Sequence, residues 1–368
     1  MFENSFGTNH PKSETHSCRK AISNTIWKRR RQVLTIREKA ELREEQIFSP
    51  YASLSKNSRG RDRDEPQCDI RPVYQRDRDR ILHCKSFRRL KHKTQVFLTP
   101  LGDHYRTRLT HTLEVSQTAR TIAQALGLND NLAEAIALGH DLGHTPFGHS
   151  GESALNEVCP LGFAHFEQSV RVVELLEKKG KGLNLTWEVR DGILNHRTAG
   201  DPNTLEGKVV RLSDKIAYIN HDIDDAERAG ILREEDIPLE YREILGFTIR
   251  ERLNTLIHDI VRNSEDKADI IMSPHIEEAM QGLRSFMFKH VYRNPKAKGE
   301  EARARNMLQE LYYYYSRHLE MLPGEYLELI EKRNEREERV VCDYIAGMTD
   351  QYSINKFSEL FIPKSWQV

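Results

Sequence analysis

The 368-residue chain is predicted to be an all-α protein. Three observations lead to this fold class. Apolar residues recur at spacings of three and four along most of the chain beyond residue 75, which is the period of an amphipathic helix. Alternation of apolar and polar residues, the pattern of a half-buried strand, is scarce. No segment repeats at intervals of roughly 20 to 50 residues, so a solenoid of stacked repeats is not expected.

The composition excludes several classes of function. Lys plus Arg and Asp plus Glu both number 56, so no net charge attracts nucleic acid or an anionic membrane. The five cysteines are scattered without a CxxC pair, which is typical of a reducing cytosol and offers no thiolate metal site. No apolar run approaches the roughly 20 residues that span a bilayer. We therefore expect a cytoplasmic protein without a membrane partner, in which a local site must hold any anionic ligand.

The first 66 residues predict a tail, a helix and a loop. Residues 1–34 lack periodicity and are rich in polar residues, so we expect a flexible tail. The run KRRR at 28–31 is compatible with contact to nucleic acid, although the start of a solvated helix is the favoured interpretation. TIREKAELREEQI, residues 35–47, suits a charged surface helix, and SKNSRGRDRDEP, residues 55–66, suits an exposed loop.

Two adjacent helices are predicted next. In RTRLTHTLEVSQTARTIAQALGLN the apolar residues from Val115 onward predict an amphipathic helix of about 20 residues that is capped at Gly127. The following helix opens with Asn129 or Asp130 as its N-cap and loosens at Gly143. Further helices are predicted at QSVRVVELLEKKG, WEVRDGILNH, GKVVRLSDKIAYINHDIDDAERAG and residues 240–262.

The C-terminal region is predicted to be a helical extension. YRNPKAKGEEA, from residue 292, is typical of a connector, and it leads to YYYY at residues 312–315. Four tyrosines could form a stacking platform for bases, but one helix turn of core and interface aromatics is the favoured interpretation. We therefore expect three parts: the tail at 1–34, a main domain at 35–292 and the extension at 293–368.

Several common catalytic motifs are absent from the sequence. The P-loop GxxxxGK[ST], the dinucleotide-binding GxGxxG and the zinc-protease HExxH do not occur. GHSGE at residues 148–152 resembles the serine nucleophile elbow GxSxG, but Glu152 occupies the second glycine position and no strand is predicted before it. A serine hydrolase is therefore not expected.

The segment HDLGHTPFGHSGE, residues 140–152, crowds together histidines and carboxylates that would be costly in an ordinary core. The apolar stripe of the preceding helix places His111 on the buried face, and His140 and Asp141 end the next helix. Asp214 offers a further carboxylate. Two imidazoles and two carboxylates suit Mn, Fe, Co, Ni, Zn or, less ideally, Mg. The sequence therefore predicts a divalent metal site, while a purely structural role for these residues is the less favoured alternative.

The helix that contains Asp214 has one polar face. Its polar residues are Asp214, Tyr218, His221, Asp222 and Asp225, and the opposite side is apolar. Such a face could simply meet water. The presence of Tyr and His among the carboxylates favours the wall of a wet pocket.

Several long motifs occur in an order that resembles a known family. They are FRRLKHKTQVFLTP, RTRLTHTLEV, HDLGHTPFGHSGE, FAHFEQS and SDKIAYINHDIDDA. The order H…HD…D is the signature of the HD phosphohydrolase superfamily, and the longer motifs resemble the deoxynucleoside triphosphate triphosphohydrolases, the dGTPase group, over roughly residues 35–292. The resemblance implies a helical HD-domain fold with N-terminal and C-terminal helical extensions. It also implies metal-dependent hydrolysis of dGTP or several deoxynucleoside triphosphates (dNTPs) at the α-phosphorus, giving deoxynucleoside and tripolyphosphate. We also expect a homo-oligomer.

The resemblance implies roles for individual residues. The positions that match the metal ligands of the family are His111, His140, Asp141 and Asp214. His149 matches a catalytic histidine, and Glu152 lies one helical turn away, where it can orient His149 and favour its charged form. His165 of FAHFEQS resembles another active-site histidine.

Other matching positions would hold the substrate. The positions that match phosphate contacts are Arg108, His144 and Lys215. Tyr218 and Asp222 resemble residues that hold the triphosphate and the sugar 3′-hydroxyl, and Gln95 resembles a residue near the sugar and base. A neutral protein needs such local cations to bind a polyanion.

These roles give a mechanism as a hypothesis. A water activated by the metal attacks the α-phosphorus, and protonated His149 donates to the departing 5′-oxygen. Two alternatives stay open. The chain could be another HD phosphohydrolase, acting on nucleoside monophosphates, guanosine tetraphosphate or cyclic dinucleotides. It could also be a nucleotide-sensing or single-strand nucleic-acid-binding protein.

Overall fold

The computed structural model describes Met1 and residues 34–95, 106–291 and 295–363, with the backbone alone described at 295–299. These residues form sixteen α-helices of five residues or more and a four-residue helical turn at Glu177–Gly180, and among them no β-strand occurs, only two isolated bridges. The all-α prediction is confirmed. The helices are α1 Ile36–Ile47, α2 Val73–Leu82, α3 Lys85–Arg89, α4 Arg108–Ala125, α5 Asp130–Gly139, α6 Gly148–Val158, α7 His165–Arg171, α8 Trp187–Asn195, α9 Leu205–Arg228, α10 Leu239–Leu245, α11 Ile249–Ser264, α12 Pro274–His290, α13 Pro295–Arg317, α14 Gly324–Arg333, α15 Glu337–Ala346 and α16 Asp350–Phe361. The run KRRR, and the predicted tail up to residue 33 apart from Met1, lie outside the described residues.

Helices α4, α5 and α9 form the centre of the main domain. α4 packs along both α5 and α9, while α2 and α8 pack against α5. Apolar side chains between these helices are fully buried, among them Val115, Ile136 and Ile216. Burial of each such side chain contributes about 1.5–3 kcal/mol. The same packing fixes the relative positions of the polar side chains that the three helices carry.

The start of each central helix is capped by a polar side chain. At the start of α4 the backbone N–H of Thr107 donates to Oγ1 of Thr110, 3.1 Å away. Of the two predicted N-caps of α5, Asn129 takes the role and accepts the N–H of Leu132. Thr204 caps α9 in the same way. These bonds satisfy N–H groups that have no partner inside the helix.

The turn after α5 brings another helix close to it. α5 ends at Gly139, as predicted from the loosened sequence that follows. A Cβ atom on Gly143 would lie 2.2 Å from the backbone nitrogen of Ser169 in α7, so only glycine permits this approach. The Ser169 hydroxyl accepts the N–H of Gly143 at 2.9 Å and donates to the carbonyl of His140 at 2.7 Å. α7 is thereby held against the turn.

A second apolar cluster joins α6 to the C-terminal helices. Leu155 of α6 is fully buried in it together with Leu308 of α13 and Ile345 of α15. Tyr312 and Tyr315 are buried in the same cluster, whereas Tyr313 is 44% exposed. The prediction that the YYYY run supplies core aromatics is therefore confirmed, and a role of the exposed Tyr313 in an interface stays a prediction.

Two predicted element boundaries are wrong. The expected helix at 240–262 is divided, because the backbone of Gly246 adopts φ +123° and Thr248 then caps a new helix, α11. The expected connector from residue 292 is helical from Pro295 onward. Proline is tolerated in the first turn of a helix, where its missing N–H is not needed, so it opens α13 rather than interrupting it.

The segment 55–66, predicted as an exposed loop, is partly buried by an ion pair. Its Arg61 side chain is only 7% exposed and donates to the carboxylate of Asp77 in α2, which is fully buried. Asp77 also accepts the backbone N–H of Thr186 at 2.8 Å and its hydroxyl at 2.7 Å. Burial of a charged group is costly unless it is paired, so the pair fixes this segment to α2.

No helix in the described ranges combines the length and the apolar composition that crossing a bilayer would require.

We predict that Asp77→Ala lowers the free energy of unfolding by about 3–5 kcal/mol, because the buried Arg61 would keep only the more exposed Glu65 as a counter-charge and Thr186 would lose the acceptor of its N–H and hydroxyl. Urea denaturation followed by circular dichroism measures this change. Asp79→Ala, two residues away, is the matched control, since Asp79 pairs with arginines in a more exposed setting. A loss of about 0–1 kcal/mol is expected there. Equal losses in both variants would contradict the prediction.

Candidate active site

The central helices bring four side chains together at one point. They are the predicted metal ligands His111 of α4, His140 and Asp141 after α5, and Asp214 of α9. Nε2 of His111 lies 3.1 Å from Oδ1 of Asp214 and 4.0 Å from Oδ2 of Asp141. Nε2 of His140 lies 3.3 Å from Oδ1 of Asp141 and 3.8 Å from Oδ1 of Asp214.

The ligand atoms of His111, His140 and Asp141 all lie within 4.8 Å of one another, and Oδ1 of Asp214 lies beside both imidazoles, so the group fits a divalent cation. Ligand atoms about 2.1 Å from an ion lie about 3.0 Å apart when adjacent in an octahedron and about 4.2 Å apart when opposite. Nε2 of His140 is buried and makes no hydrogen bond to a described residue, so its lone pair is available to an ion. The mixed nitrogen and oxygen set suits several first-row metals and does not select one of them.

Hydrogen bonds on the far side of the His111 and His140 rings determine which nitrogen of each ring faces the two aspartates. Nδ1 of His140 lies 2.6 Å from the carbonyl oxygen of Ala137, so it carries the proton and leaves Nε2 bare. Nδ1 of His111 lies 3.4 Å from Nδ1 of His221, whose Nε2 is 2.8 Å from Glu114. Burial lowers the pKa of His221, so the neutral ring can accept from His111 and donate to Glu114. Such partners orient a metal-binding imidazole.

Both carboxylates of the cluster are held in the charged form. Burial alone would raise the pKa of Asp141, but the neighbouring imidazole of His140 and the guanidinium of Arg108 are among the groups that hold that pKa well below its ordinary value. Burial acts in the same way on Asp214, and the neighbouring imidazoles of His111 and His140 lower its pKa. The cluster therefore presents two anionic ligands, as a divalent cation requires.

The predicted phosphate contact Arg108 lies beside the cluster at the start of α4. Its side chain is 2% exposed, and Nη1 donates to Oδ2 of Asp141 at 2.8 Å. Arg108 thus places a buried guanidinium next to a metal-fitting carboxylate and at the edge of the space above it. A phosphate oxygen in that space would meet a fixed cation.

His144 lies beside Asp141 and lines the same cavity. Its Nε2 is 3.3 Å from Oδ1 of Asp141, and its ring stacks on that of His165 with centroids 4.0 Å apart. Burial, and then the charge of Arg108, lower the pKa of His144 well below its ordinary value. Its Nδ1 makes no hydrogen bond within the described residues. An anionic ligand at this ring would favour the charged form.

Glu152 connects two of the predicted catalytic histidines. Its Oε2 lies 3.4 Å from Nδ1 of His149, which is the pairing predicted from the sequence. Its Oε1 makes shorter contacts, at 2.9 Å each, to Nδ1 and to the backbone N–H of His165. Burial alone would raise the pKa of Glu152, but the hydrogen bonds from His149 and His165 hold it far below its ordinary value. Glu152 is therefore a carboxylate shared by both rings.

A further histidine, His196 at the end of α8, was not predicted to belong to the site. Its Nε2 lies 3.3 Å from Nε2 of His165, and its Nδ1 lies 2.7 Å from the carbonyl oxygen of Ile193. Burial, with the neighbouring rings of His140 and His165, lowers the pKa of His196 to about 4, so its Nε2 is an acceptor. His165 therefore has an acceptor at each ring nitrogen, which is the hydrogen-bonding pattern of an imidazolium.

A cavity of about 540 Å³ opens above the metal-fitting cluster, which consists of His111, His140, Asp141 and Asp214. The predicted residues that line it are Gln95, Arg108, His111, Asp141, His144, His149, His165, Asp214, Tyr218 and Asp222. His140 and Glu152 lie behind this wall and act on it through their neighbours. Lys215 lines a neighbouring pocket of about 460 Å³ that shares Tyr218 with the cavity. The volume is in the range of small-molecule sites.

Three arginines that sequence reasoning missed also line the cavity. Arg197 follows α8 and stacks on Phe166 at 4.5 Å, Arg284 of α12 lies 5.9 Å from the centre of the Tyr218 ring, and Arg305 of α13 pairs with Glu157. None lies in the motifs that carry the resemblance, so no local sequence signal distinguished them from surface arginines.

Asp222 differs from the other carboxylates of the site. It is buried, and burial together with the nearby charge of Asp225 raises its pKa well above the ordinary value. Its environment therefore favours the neutral acid, which can donate a hydrogen bond as well as accept one. Of the predicted polar face of α9, Asp214, Tyr218 and Asp222 line the cavity, whereas His221 and Asp225 bond to neighbouring side chains instead.

Comparisons with protein families match two parts of the chain. The model of the HD domain matches residues 108–219, which contain the four metal-fitting side chains. The model described as the phosphohydrolase-associated domain matches residues 270–359, which include α12 to α15. A solved structure of a phosphohydrolase from Bacteroides thetaiotaomicron aligns with 78% of this chain and 68% of its own, at 18% identity and a TM-score of 0.49.

Curated relatives match almost the whole chain. A deoxyguanosinetriphosphate triphosphohydrolase-like protein of Caldanaerobacter subterraneus subsp. tengcongensis is 57% identical over 333 residues, covering 90% of this chain and 98% of the relative. A protein of the same description from Clostridium perfringens is 51% identical and covers 90% and 99%. The chain therefore belongs to the deoxyguanosinetriphosphate triphosphohydrolase-like family of HD-domain phosphohydrolases.

Proposed function

We propose that the protein hydrolyses dGTP or several dNTPs at the α-phosphorus, releasing deoxynucleoside and tripolyphosphate. One observation carries the proposal: a cluster of two histidines and two aspartates, fit for a divalent cation, lies at the base of a cavity with cationic walls. The names of the related proteins support the same substrate class. When bound, the divalent cation would polarise the phosphoryl group and supply an activated water.

The cations around the cavity suit a triphosphate. Arg108 lies beside Asp141, where an α-phosphate at the cluster would come within reach of its guanidinium. Lys215 and Arg284 line the pocket that adjoins the cavity at Tyr218. A triphosphate carries roughly four negative charges, and fixed guanidinium and ammonium groups offset them by charge-assisted hydrogen bonds. We therefore place the outer phosphates towards this adjoining pocket.

Two side chains that line the cavity suit the nucleoside. Gln95 offers both a donor and an acceptor, and its Oε1 is buried without a hydrogen bond to a described residue. Asp222, held as the neutral acid, offers the same combination. A sugar 3′-hydroxyl both donates and accepts, so these two side chains are suitable partners for it.

His149 and Glu152 supply the proton chemistry in this proposal. His149 lines the cavity, and the Glu152 carboxylate 3.4 Å from its Nδ1 favours the protonated ring. The protonated ring donates to the 5′-oxygen as the bond to phosphorus breaks. His165, fixed between Glu152 and His196, holds the other side of the carboxylate and meets developing negative charge with a second imidazole.

A homo-oligomer, a cytoplasmic location and the three-part division at 1–34, 35–292 and 293–368 remain predictions from the sequence.

We predict that the protein, supplied with Mn²⁺ or Mg²⁺, converts dGTP to deoxyguanosine and tripolyphosphate. Anion-exchange chromatography resolves this product from pyrophosphate and orthophosphate, and single dNTPs and mixtures should be compared. Chelation with EDTA should abolish the reaction, because the side chains would bind the ion reversibly and a chelator can therefore remove it. Release of pyrophosphate or orthophosphate would favour another HD phosphohydrolase, which should then be tested with nucleoside monophosphates, guanosine tetraphosphate and cyclic dinucleotides.

A graded series of variants tests the metal site. His140→Ala removes a direct ligand and should weaken Mn²⁺ binding by more than about 100-fold, whereas Glu114→Gln weakens only the support behind His111 and should cost about 10–100-fold. Isothermal titration of Mn²⁺ into chelator-treated protein measures both. His258→Ala, on the exposed face of α11, is the control and should bind as the unmodified protein does. Unchanged binding in His140→Ala would exclude this site.

We predict that His149→Ala lowers kcat by about 10²–10⁴-fold with little change in KM, since general acid catalysis acts in the transition state. The side chain is 81% exposed, so the substitution should not change the melting temperature. Steady-state rates of tripolyphosphate release provide the measurement. A near-normal kcat would show that another group donates the proton, and the same assay on His165→Ala would then identify it.

A further inference from the structure

The turn between α15 and α16 reaches back to the two loops that flank the cavity. We propose that Asp350, at the start of α16, is a positioning residue of the active site: its buried carboxylate binds the backbone beside Gln95 and beside His149 at the same time. The expected change in kcat rests on the proposed function, whereas the contacts of Asp350 rest on geometry alone. It assigns a role to the C-terminal helices, for which the sequence suggested none.

The contacts of Asp350 join segments that are distant along the chain. Oδ2 accepts the backbone N–H of Thr94 at 2.8 Å and also the Thr94 hydroxyl. Oδ1 accepts the backbone N–H of Phe147 at 3.0 Å. The residue is only 7% exposed, so water competes little for these three bonds. One carboxylate therefore holds two loops from opposite sides.

Each held backbone group lies next to a residue that lines the cavity. Thr94 immediately precedes Gln95, the proposed partner of the sugar. Phe147 lies two residues before His149, the proposed proton donor, and is the N-cap position of α6. Phe147 has φ +60°, a left-handed conformation that a bulky side chain rarely adopts, so the chain needs an external contact to stay there.

A second connection from the same turn supports the first. The Lys93 side chain is buried and donates to the carbonyl oxygen of Ala346 at 2.7 Å and also to the carbonyl of His144. Ala346 ends α15, four residues before Asp350. The turn at residues 346–350 is therefore linked to both ends of the bend between His144 and Phe147, to His144 through Lys93 and to Phe147 directly.

A purely structural role for Asp350 makes a different prediction. An acidic residue in the first turn stabilises a helix through the positive end of its dipole, and Asp350 could serve α16 in that way alone. The N-cap of α16 is Thr349, whose hydroxyl oxygen accepts the N–H of Tyr352. Thr349→Ala therefore weakens the same helix without removing a contact to either loop, and it is the matched control.

The first experiment compares Asp350→Asn and Thr349→Ala in the full chain, assayed with dGTP and Mn²⁺. An asparagine keeps only one acceptor oxygen, so at least one loop loses its partner. We expect kcat in Asp350→Asn to fall by about 10–100-fold, as small displacements of catalytic groups do, while Mn²⁺ affinity stays within about 2-fold. Thr349→Ala should lower the melting temperature at least as much and keep kcat within about 2-fold. If both variants lose kcat only in proportion to their loss of melting temperature, Asp350 is merely structural and the inference is overturned.

The second experiment does not depend on activity. Backbone hydrogen exchange at Phe147 should accelerate at least about 10-fold in Asp350→Asn and stay unchanged in Thr349→Ala. Unchanged exchange in Asp350→Asn would also overturn the inference. Should the unmodified protein release no tripolyphosphate from any dNTP, the proposed function fails, whereas the exchange measurement still decides whether Asp350 holds the loop.

A double-mutant cycle with Thr94→Val tests whether Asp350 affects kcat through its contact with Thr94. Valine keeps the shape of threonine but removes the hydroxyl that donates to Asp350. Because the two substitutions interrupt the same contact, their combined effect on kcat should be smaller than the product of the single effects. Fully independent effects would show that Asp350 does not act through Thr94.

Discussion

Two carboxylates at the same cluster, the buried Asp141 and the partly buried Asp214, are the constraint on which the arrangement of the site depends. A buried charge is tolerated only when cations and donors surround it. His111, His140 and Arg108 supply these partners, and they come from the ends of α4 and α5. The apolar packing of α4, α5 and α9 therefore has to place these side chains within contact distance of one another. A divalent cation completes the balance, since two anions and two neutral imidazoles form a set that it fits.

The residues around the cluster supply the local positive charge that the neutral chain as a whole lacks. The chain as a whole is neutral, so it has no long-range attraction for a polyanion. Its local cations instead line the cavity and include Arg108, Arg197 and Arg284. The histidines add charge that depends on the ligand, because burial keeps His144 neutral until an anion arrives beside it. A site of this kind attracts phosphate without making the rest of the surface basic.

The sequence predicts the parts of the fold and site that local patterns encode. Helix periodicity gave the all-α class, and the motifs around His111, His140 and Asp214 gave a cluster whose side chains do meet in the structure. Contacts between residues that are far apart along the chain have no such local sequence pattern. His196 meets His165 from the end of α8, 31 residues away, and looks like any histidine at a helix end. Gly246 and Pro295 were misread because glycine in a helical tract and proline in a polar segment are each compatible with two structures.

The magnitudes explain why a residue at the far end of the chain can matter for the bend that carries His149. A residue such as Phe147 in the left-handed region costs of order 1–3 kcal/mol. A hydrogen bond to a charged acceptor contributes about 1.5–3 kcal/mol, which is the same size. The bond from Phe147 to Asp350 can therefore offset the whole backbone cost, and the burial of the Phe147 ring against the C-terminal helices adds to it. Without both contacts the bend would relax, so the C-terminal helices contribute to the geometry of the cavity as directly as the helices that carry its side chains.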